Sequence, residues 1–165
     1  MTRPVQPGPP AGLLRAILHL PVYLYRARLG VLLGHRFLLL VHRGRRSGRR
    51  YETVLEVVRY DPATGESVVV AGWGRRTAWL HNVEAGGALA VLTGRRHYAP
   101  AHRLLDADEA AAVVAEYERR NRFIAPVVRA VLSRLVGWRY HGTEDARRRL
   151  VAQLPLLAFR PRSQS

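Results

Sequence analysis

The residues from Gly44 to Arg50 are the part of this chain best suited to hold an anion. They read GRRSGRR, so four arginines are combined with two glycines and one serine. Guanidinium groups present paired N–H donors that match phosphate or carboxylate, a serine adds a hydroxyl donor, and glycine lets backbone N–H groups turn toward an anion. The segment predicts a phosphate-grade anion site, with a solvated basic hairpin turn as the alternative.

Other residue patterns exclude several kinds of chemistry. The segment Gly72–Thr77 is similar to the start of a dinucleotide fingerprint, but Thr77 replaces the third glycine and no parallel crossover unit follows. No G-x-S-x-G elbow, H-E-x-x-H motif or Walker loop occurs, and the absence of cysteine excludes thiolate metal sites and cysteine nucleophiles. The seven histidines form no recognised metal-ligand motif, so we expect no metal site.

Composition and charge narrow the choice of partner. The 165 residues suit one domain, and 27 arginines without lysine against 12 acidic residues give a net charge of +15. Such a charge favours nucleic acid, lipid headgroups or a polyanionic small molecule. Nucleic-acid binding usually needs a long basic face with stacking aromatic residues, and only 8% of this chain is aromatic. We therefore expect a small-molecule partner and no nucleic acid.

The first 35 residues divide into two predicted segments. Residues 1–10 are proline-rich and are expected to be a mobile tail. Residues 11–35 form a predicted basic amphipathic helix, kinked near Pro21 and too often interrupted by charge to span a membrane. This helix either packs on its own domain or makes peripheral membrane contact through residues 11–34. We expect a cytoplasmic protein, with membrane association as the alternative.

Residues 36–165 are predicted to form one α+β domain. Val54, Glu56, Val58 and Tyr60 are expected on one face of the second strand, and Asp106 and Glu109 make a capping-box pattern. Because strands follow one another through short turns, the sheet should be antiparallel and close into a small barrel with peripheral helices. The predicted strands are Phe37–His42, Thr53–Tyr60, Ser67–Ala71, a hairpin of Ala88–Leu92 and Arg96–Arg103, and Leu156–Arg160. The predicted helices are Thr77–Ala85, the segment after Asp106, Ala125–Val136, and a short helix capped by Thr143.

Two motifs in order resemble a known family. The loop GRRSG, then Thr53 and Leu55, then VVVAGWG, and finally the W-x-x-N element of Ala78–Asn82 resemble the deazaflavin-dependent nitroreductase family. The resemblance runs from about Phe37 to Arg160. It implies an antiparallel split β-barrel and the cofactor F-420, with FMN as the alternative cofactor.

The resemblance also implies a set of cofactor-binding residues. Arg45, Arg46 and Ser47 would hold the phosphate and glutamate tail, while Trp79 and Asn82 would close over the deazaflavin ring. The full predicted set is Arg45, Arg46, Ser47, Gly48, Arg50, Tyr51, Thr53, Val54, Leu55, Glu56, Val70, Ala71, Gly72, Trp73, Ala78, Trp79, Leu80, His81 and Asn82.

By resemblance, the chain is an F-420-dependent oxidoreductase that transfers a hydride from the reduced deazaflavin to a quinone, nitro or enone compound. Tyr140 and His141 are the candidate catalytic residues, as proton donors to the acceptor. The alternatives are a non-catalytic barrel that binds F-420 or a hydrophobic ligand, and a basic membrane-associated protein. The expected assembly is a monomer or a homodimer.

Overall fold

The computed structural model describes residues 34–162, which form seven strands and four helices. The strands are β1 (Phe37–Arg43), β2 (Arg50–Asp61), β3 (Glu66–Val70), β4 (Ala88–Thr93), β5 (Arg96–Tyr98), β6 (Pro100–Leu104) and β7 (Leu156–Pro161). The helices are α1 (Ala78–Glu84), α2 (Ala107–Arg120), α3 (Ala125–Val136) and α4 (Glu144–Gln153). Short 3-10 helices precede α1 and α3, at Gly74–Arg76 and Arg122–Ile124.

All seven strands pair antiparallel in one sheet, in the order β5-β4-β1-β2-β3-β7-β6. The two outermost strands, β5 and β6, are separated along the chain by Ala99 alone, so the sheet must curl until its ends meet. Closure into a barrel limits the exposed strand edges that invite aggregation. The predicted α+β split barrel with peripheral helices is confirmed.

Two apolar clusters lie on the two faces of the sheet. Alternate residues of each strand, such as Leu38 and Leu40 on β1, fill the barrel interior together with Leu157 and Phe159 of β7. One end of the barrel is closed by α1, whose buried residues join this inner cluster. On the outer face, α2 and α4 pack against β3 and β7 in a second cluster. The interior cluster supports the end of the barrel where α1 sits.

The prediction that Val58 and Tyr60 share one face of β2 is wrong. The register between β2 and β3 shifts between Val57 and Arg59, which is a β-bulge. Val58 therefore packs in the outer cluster, whereas Tyr60 packs against the inner one. An extra residue in a strand reverses the alternation beyond it, and the residue pattern alone does not reveal the bulge.

The predicted hairpin of Ala88–Leu92 with Arg96–Arg103 is only half right. β4 and β5 pair as expected, but the second segment breaks at Ala99, and its remainder becomes β6. β6 pairs with β7 instead of β4, because the chain crosses here from one end of the curled sheet to the other.

Two helices begin at the capping residues that the sequence predicts, Asp106 and Thr143. The Asp106 carboxylate accepts a hydrogen bond from the Glu109 backbone N–H at 2.8 Å, and the Thr143 hydroxyl accepts one from the Ala146 N–H at 3.2 Å. The Glu109 side chain does not return to complete a capping box. Arg103 and Arg59 bind it instead, and they lower the pKa of Glu109 to about 2.

The predicted tail at residues 1–10 lies outside the described residues, as does all but the end of the predicted amphipathic helix. Within residues 34–162, no helix is long and apolar enough to cross a membrane. The location of the protein and its monomeric or dimeric state stay predictions.

Candidate functional site

A pocket of about 690 Å³ opens at the α1 end of the barrel, between α1 and the turn that joins β1 to β2. The pocket therefore unites residues that lie far apart in the sequence. Of the predicted cofactor-binding residues, those that line it are Arg45, Arg46, Ser47, Tyr51, Thr53, Trp73, Ala78, Trp79 and Asn82. Four further lining residues, His42, Gly44, Glu52 and Thr77, lie outside that set, although Gly44 belongs to the predicted anion loop.

The turn from Gly44 to Arg49 is closed by its own backbone. The Gly44 N–H donates to the Arg49 carbonyl and the Gly48 N–H to the Gly44 carbonyl, both at 2.8 Å. A Cβ on Gly44 would lie 2.5 Å from the Ser47 Oγ and 2.8 Å from the Tyr51 ring, so these two side chains would have to shift. The glycine thus permits the Ser47 and Tyr51 hydroxyls to meet at 3.2 Å beside the pocket.

Three arginines of this turn carry uncompensated charge. Arg45, Arg46 and Arg49 are exposed, and within residues 34–162 none of them forms an ion pair. Arg50 differs, because its guanidinium lies 3.3 Å from the Glu52 carboxylate. Arg45 and Arg46 line the pocket, so its mouth is positive and suits an anion.

A chain of hydrogen bonds links the turn to α1 and β2. The Arg45 backbone N–H donates to the Asn82 Oδ1 at 3.0 Å, across 37 residues of sequence. The Asn82 Nδ2 lies 3.1 Å from the His42 Nδ1, and the His42 Nε2 lies 3.1 Å from the Thr53 Oγ1. Asn82 is 7% exposed and His42 only 3%, so the bond between these two side chains is shielded from water.

The direction of each bond in this chain follows from the Arg45 backbone. A backbone N–H can only donate, so the amide oxygen of Asn82 must face Arg45 and its NH₂ group must face His42. The His42 Nδ1 is then an acceptor without a proton. A neutral imidazole carries one N–H, which is therefore on Nε2 and donates to the Thr53 hydroxyl.

His42 should make the stability of the protein depend on pH. Burial lowers the pKa of His42 in the folded protein below the ordinary value of 6.5, which applies to the unfolded chain. At a pH between the folded and the unfolded pKa, the unfolded chain therefore binds the proton and the folded protein does not. The free energy of unfolding is expected to be constant above pH 6.5 and to fall as the pH drops below it. Thermal melting between pH 5 and pH 8 measures this effect.

The matched control is His42→Asn, which keeps an acceptor for Asn82 but cannot titrate. Burial also lowers the pKa of His35, so the comparison isolates the part due to His42. Equal pH slopes in the wild type and in His42→Asn would show that the proton of His42 does not affect stability.

Two tryptophans also line the pocket. Trp79 is buried in the inner cluster and also faces the pocket, whereas Trp73 is 78% exposed at the rim. Trp73 precedes Gly74, which has a φ of 65° and whose Cβ would lie 2.8 Å from the Gln153 carbonyl oxygen. Only glycine fits there, so Gly74 permits the turn that presents Trp73 at the rim.

The structure leaves ten predicted cofactor-binding residues outside the pocket lining. Leu55, Ala71 and Leu80 belong to the inner cluster, and the backbone N–H and carbonyl of Ala71 already bond Pro155 and Gly74. His81 lies instead 3.5 Å from the Glu84 carboxylate, on the side of α1 away from the core. The other six are Gly48, Arg50, Val54, Glu56, Val70 and Gly72.

The candidate proton donors Tyr140 and His141 do not line this pocket. Tyr140 is 2% exposed in the outer cluster, with its ring 6.0 Å from that of Trp138, and burial raises the pKa of its hydroxyl. His141 is exposed beside it. The segment after α3 runs along the outer face of the sheet, which separates both residues from the α1 end of the barrel.

His42 was missed although a weak signal existed. It continues the inward-facing series Leu38 and Leu40 on β1, and a polar residue in such a series needs a buried partner. The partner, Asn82, lies 40 residues away, so no local pattern joins the two. Within the described part of the chain, no group of three histidine or carboxylate side chains could hold a metal.

Comparison with known proteins gives one family. A family model described as F420H(2)-dependent quinone reductase matches residues 22–128, which is well over half of the chain. The matched range includes the basic turn, both tryptophans and all of α1. No curated protein matches the sequence.

Solved structures are similar at low identity. An F420-H2 dependent reductase (FDR-A) is 16% identical, with a TM-score of 0.46, over 76% of this chain and 95% of that one. A domain-swapped dimer is 16% identical, with a TM-score of 0.47, over 84% and 98%. A protein from Clostridium acetobutylicum, related to general stress protein 26 of B. subtilis, is 9% identical, with a TM-score of 0.43, over 85% and 84%.

Proposed function

Because this chain belongs to the F420H(2)-dependent quinone reductase family, we propose that the pocket at the α1 end of the barrel is its F-420 site and that a quinone is its acceptor. The protein is an F-420-dependent oxidoreductase that acts on a small-molecule acceptor. Family membership leaves open which residues hold the cofactor. That assignment rests on the pocket.

The uncompensated arginines at the pocket mouth are the observation that carries the proposal. F-420 bears a phosphodiester and glutamate carboxylates, and Arg45 and Arg46 line the pocket without an acidic partner in the described residues. The Ser47 and Tyr51 hydroxyls lie beside them, 3.2 Å apart. A long polyanion therefore finds paired N–H donors along the rim, which suits its tail better than the single phosphate of FMN would.

The remaining residues that line the pocket suit a flat ring. Trp73 and Trp79 with Ala78 present apolar surface, while Thr53 and Tyr51 present hydroxyls from β2. When bound in its reduced form, F-420 supplies the hydride equivalent that reduces the acceptor. Arg45, Arg46 and Ser47 would hold the anionic tail, while the tryptophans and the β2 residues would hold the ring and limit the access of water.

Ligand titration tests this assignment. The purified protein is titrated separately with F-420, FMN and NADPH, with fluorescence as the readout, and F-420 is expected to bind most tightly. Turnover of a quinone should then require reduced F-420 and should fail with NADPH. Binding of FMN that is as tight as that of F-420 would contradict the match between the arginines and the longer polyanion.

A further inference from the structure

His42 is the one buried histidine that lines the pocket in the described residues, and its hydrogen bonds give it a fixed direction. Asn82 donates to its Nδ1, so its Nε2 carries the proton and points at the Thr53 Oγ1 at 3.1 Å. The imidazole is thus an oriented donor, and its target is a hydroxyl on the pocket wall.

The Thr53 hydroxyl accepts a hydrogen bond from His42 and can still donate one of its own. Its hydroxyl oxygen receives the His42 N–H, and within residues 34–162 it has no other hydrogen-bond partner. A hydroxyl that accepts one bond still has its own proton to donate. Since Thr53 lines the pocket and is only half-buried, this proton is available to a bound group.

We propose that His42 is a positioning residue that turns the Thr53 hydroxyl into a hydrogen-bond donor aimed into the pocket, where it binds a carbonyl oxygen of the occupant. This inference rests on the proposed F-420 site. The oxygen belongs either to the cofactor ring or to the quinone, and both present the same acceptor chemistry. A hydroxyl that already accepts a bond becomes a better donor, because hydrogen bonds in a chain polarise one another.

The first test concerns the free protein and needs no ligand. Histidine ¹⁵N NMR distinguishes the two tautomers, and at neutral pH His42 is expected to show an unprotonated Nδ1 and a protonated Nε2. Removal of the Asn82 amide in Asn82→Leu should shift these resonances. An imidazolium, or a proton on Nδ1, would overturn the proposal.

The second test measures the donor itself through Thr53→Val, which keeps the shape of the side chain and removes the hydroxyl. One neutral hydrogen bond corresponds to about a three- to tenfold effect. A rise in the Kd for F-420 places the bond on the cofactor. An unchanged Kd with a raised KM or lowered kcat for the quinone places it on the acceptor. Thr53→Ser, which keeps the hydroxyl, should restore most of the loss.

A matched control removes an equivalent hydroxyl elsewhere. Thr93 also pairs with a histidine, since its Oγ1 lies 3.4 Å from the His35 Nδ1, but it does not line the pocket. Thr93→Val should change stability alone and leave the Kd and KM as in the wild type.

A double-mutant cycle tests whether His42 acts through Thr53. His42→Asn keeps the acceptor for Asn82 and loses the donor to Thr53, so it should weaken binding or turnover less than Thr53→Val does. The double variant should be no worse than Thr53→Val alone, whereas additive losses would overturn the coupling.

The proposed function can fail separately from this inference. If the wild type does not bind F-420, the site assignment is wrong. If the wild type binds F-420 but Thr53→Val has the wild-type Kd, KM and kcat, the donor role of Thr53 is wrong.

Discussion

Replacing Arg45 and Arg46 together with alanine is expected to weaken F-420 binding at least about tenfold, which is about 1.4 kcal/mol. Hydrogen bonds to charged groups contribute about 1.5–3 kcal/mol each, and exposed ones less. Both arginines are exposed at the pocket mouth, so the loss should be larger at low salt and should shrink as salt screens the charges. Fluorescence titrations at two salt concentrations measure both effects.

The chain provides its own control for this double variant. Gly94-Arg95-Arg96 repeats the tripeptide Gly44-Arg45-Arg46 at the turn between β4 and β5, and neither of its arginines lines the pocket. Arg95→Ala with Arg96→Ala removes the same net charge. If both double variants lose F-420 affinity equally, the arginines act through the general field of a basic protein and not as a local clamp.

Asn82→Leu should lower both stability and cofactor affinity. The leucine leaves the buried His42 Nδ1 and the partly buried Arg45 N–H without their partner, and an unsatisfied buried group costs about 1–3 kcal/mol. We expect a loss of about 2–4 kcal/mol in the free energy of unfolding, which is roughly 5–15 °C in Tm. Because the turn loses its tether to α1, F-420 affinity should fall about tenfold as well. Circular dichroism melts and F-420 titration measure the two losses.

Asn121→Leu separates these two effects. The Asn121 amide bonds the Tyr117 carbonyl at 2.8 Å near the end of α2, away from the pocket. It should cost some stability and leave F-420 affinity unchanged. A folded Asn82→Leu protein with wild-type affinity would show that the tether between α1 and the basic turn is structural only.

Local patterns determined much of this protein. The alternation of apolar residues predicted β1, β3 and β7 within about one residue, and the turn chemistry of Gly44–Arg50 predicted a basic loop. The side chains of Asp106 and Thr143 predicted the two helix caps that form there. These features depend on residues within one or two turns of each other, so the sequence alone contains their cause. The motif resemblance added the family, which the family model confirms.

The tertiary structure decided which residues meet. Curling of the sheet brings Asn82 to the Arg45 backbone and to His42, contacts that span 37 and 40 residues of sequence. The same curling sends β6 to β7 and leaves Tyr140 on the outer face, away from the pocket. No periodicity encodes such contacts, because they depend on how a closed sheet places the end of one strand beside a helix. The basic loop was thus determined by its own residues, whereas the partners that hold it were determined by closure of the barrel.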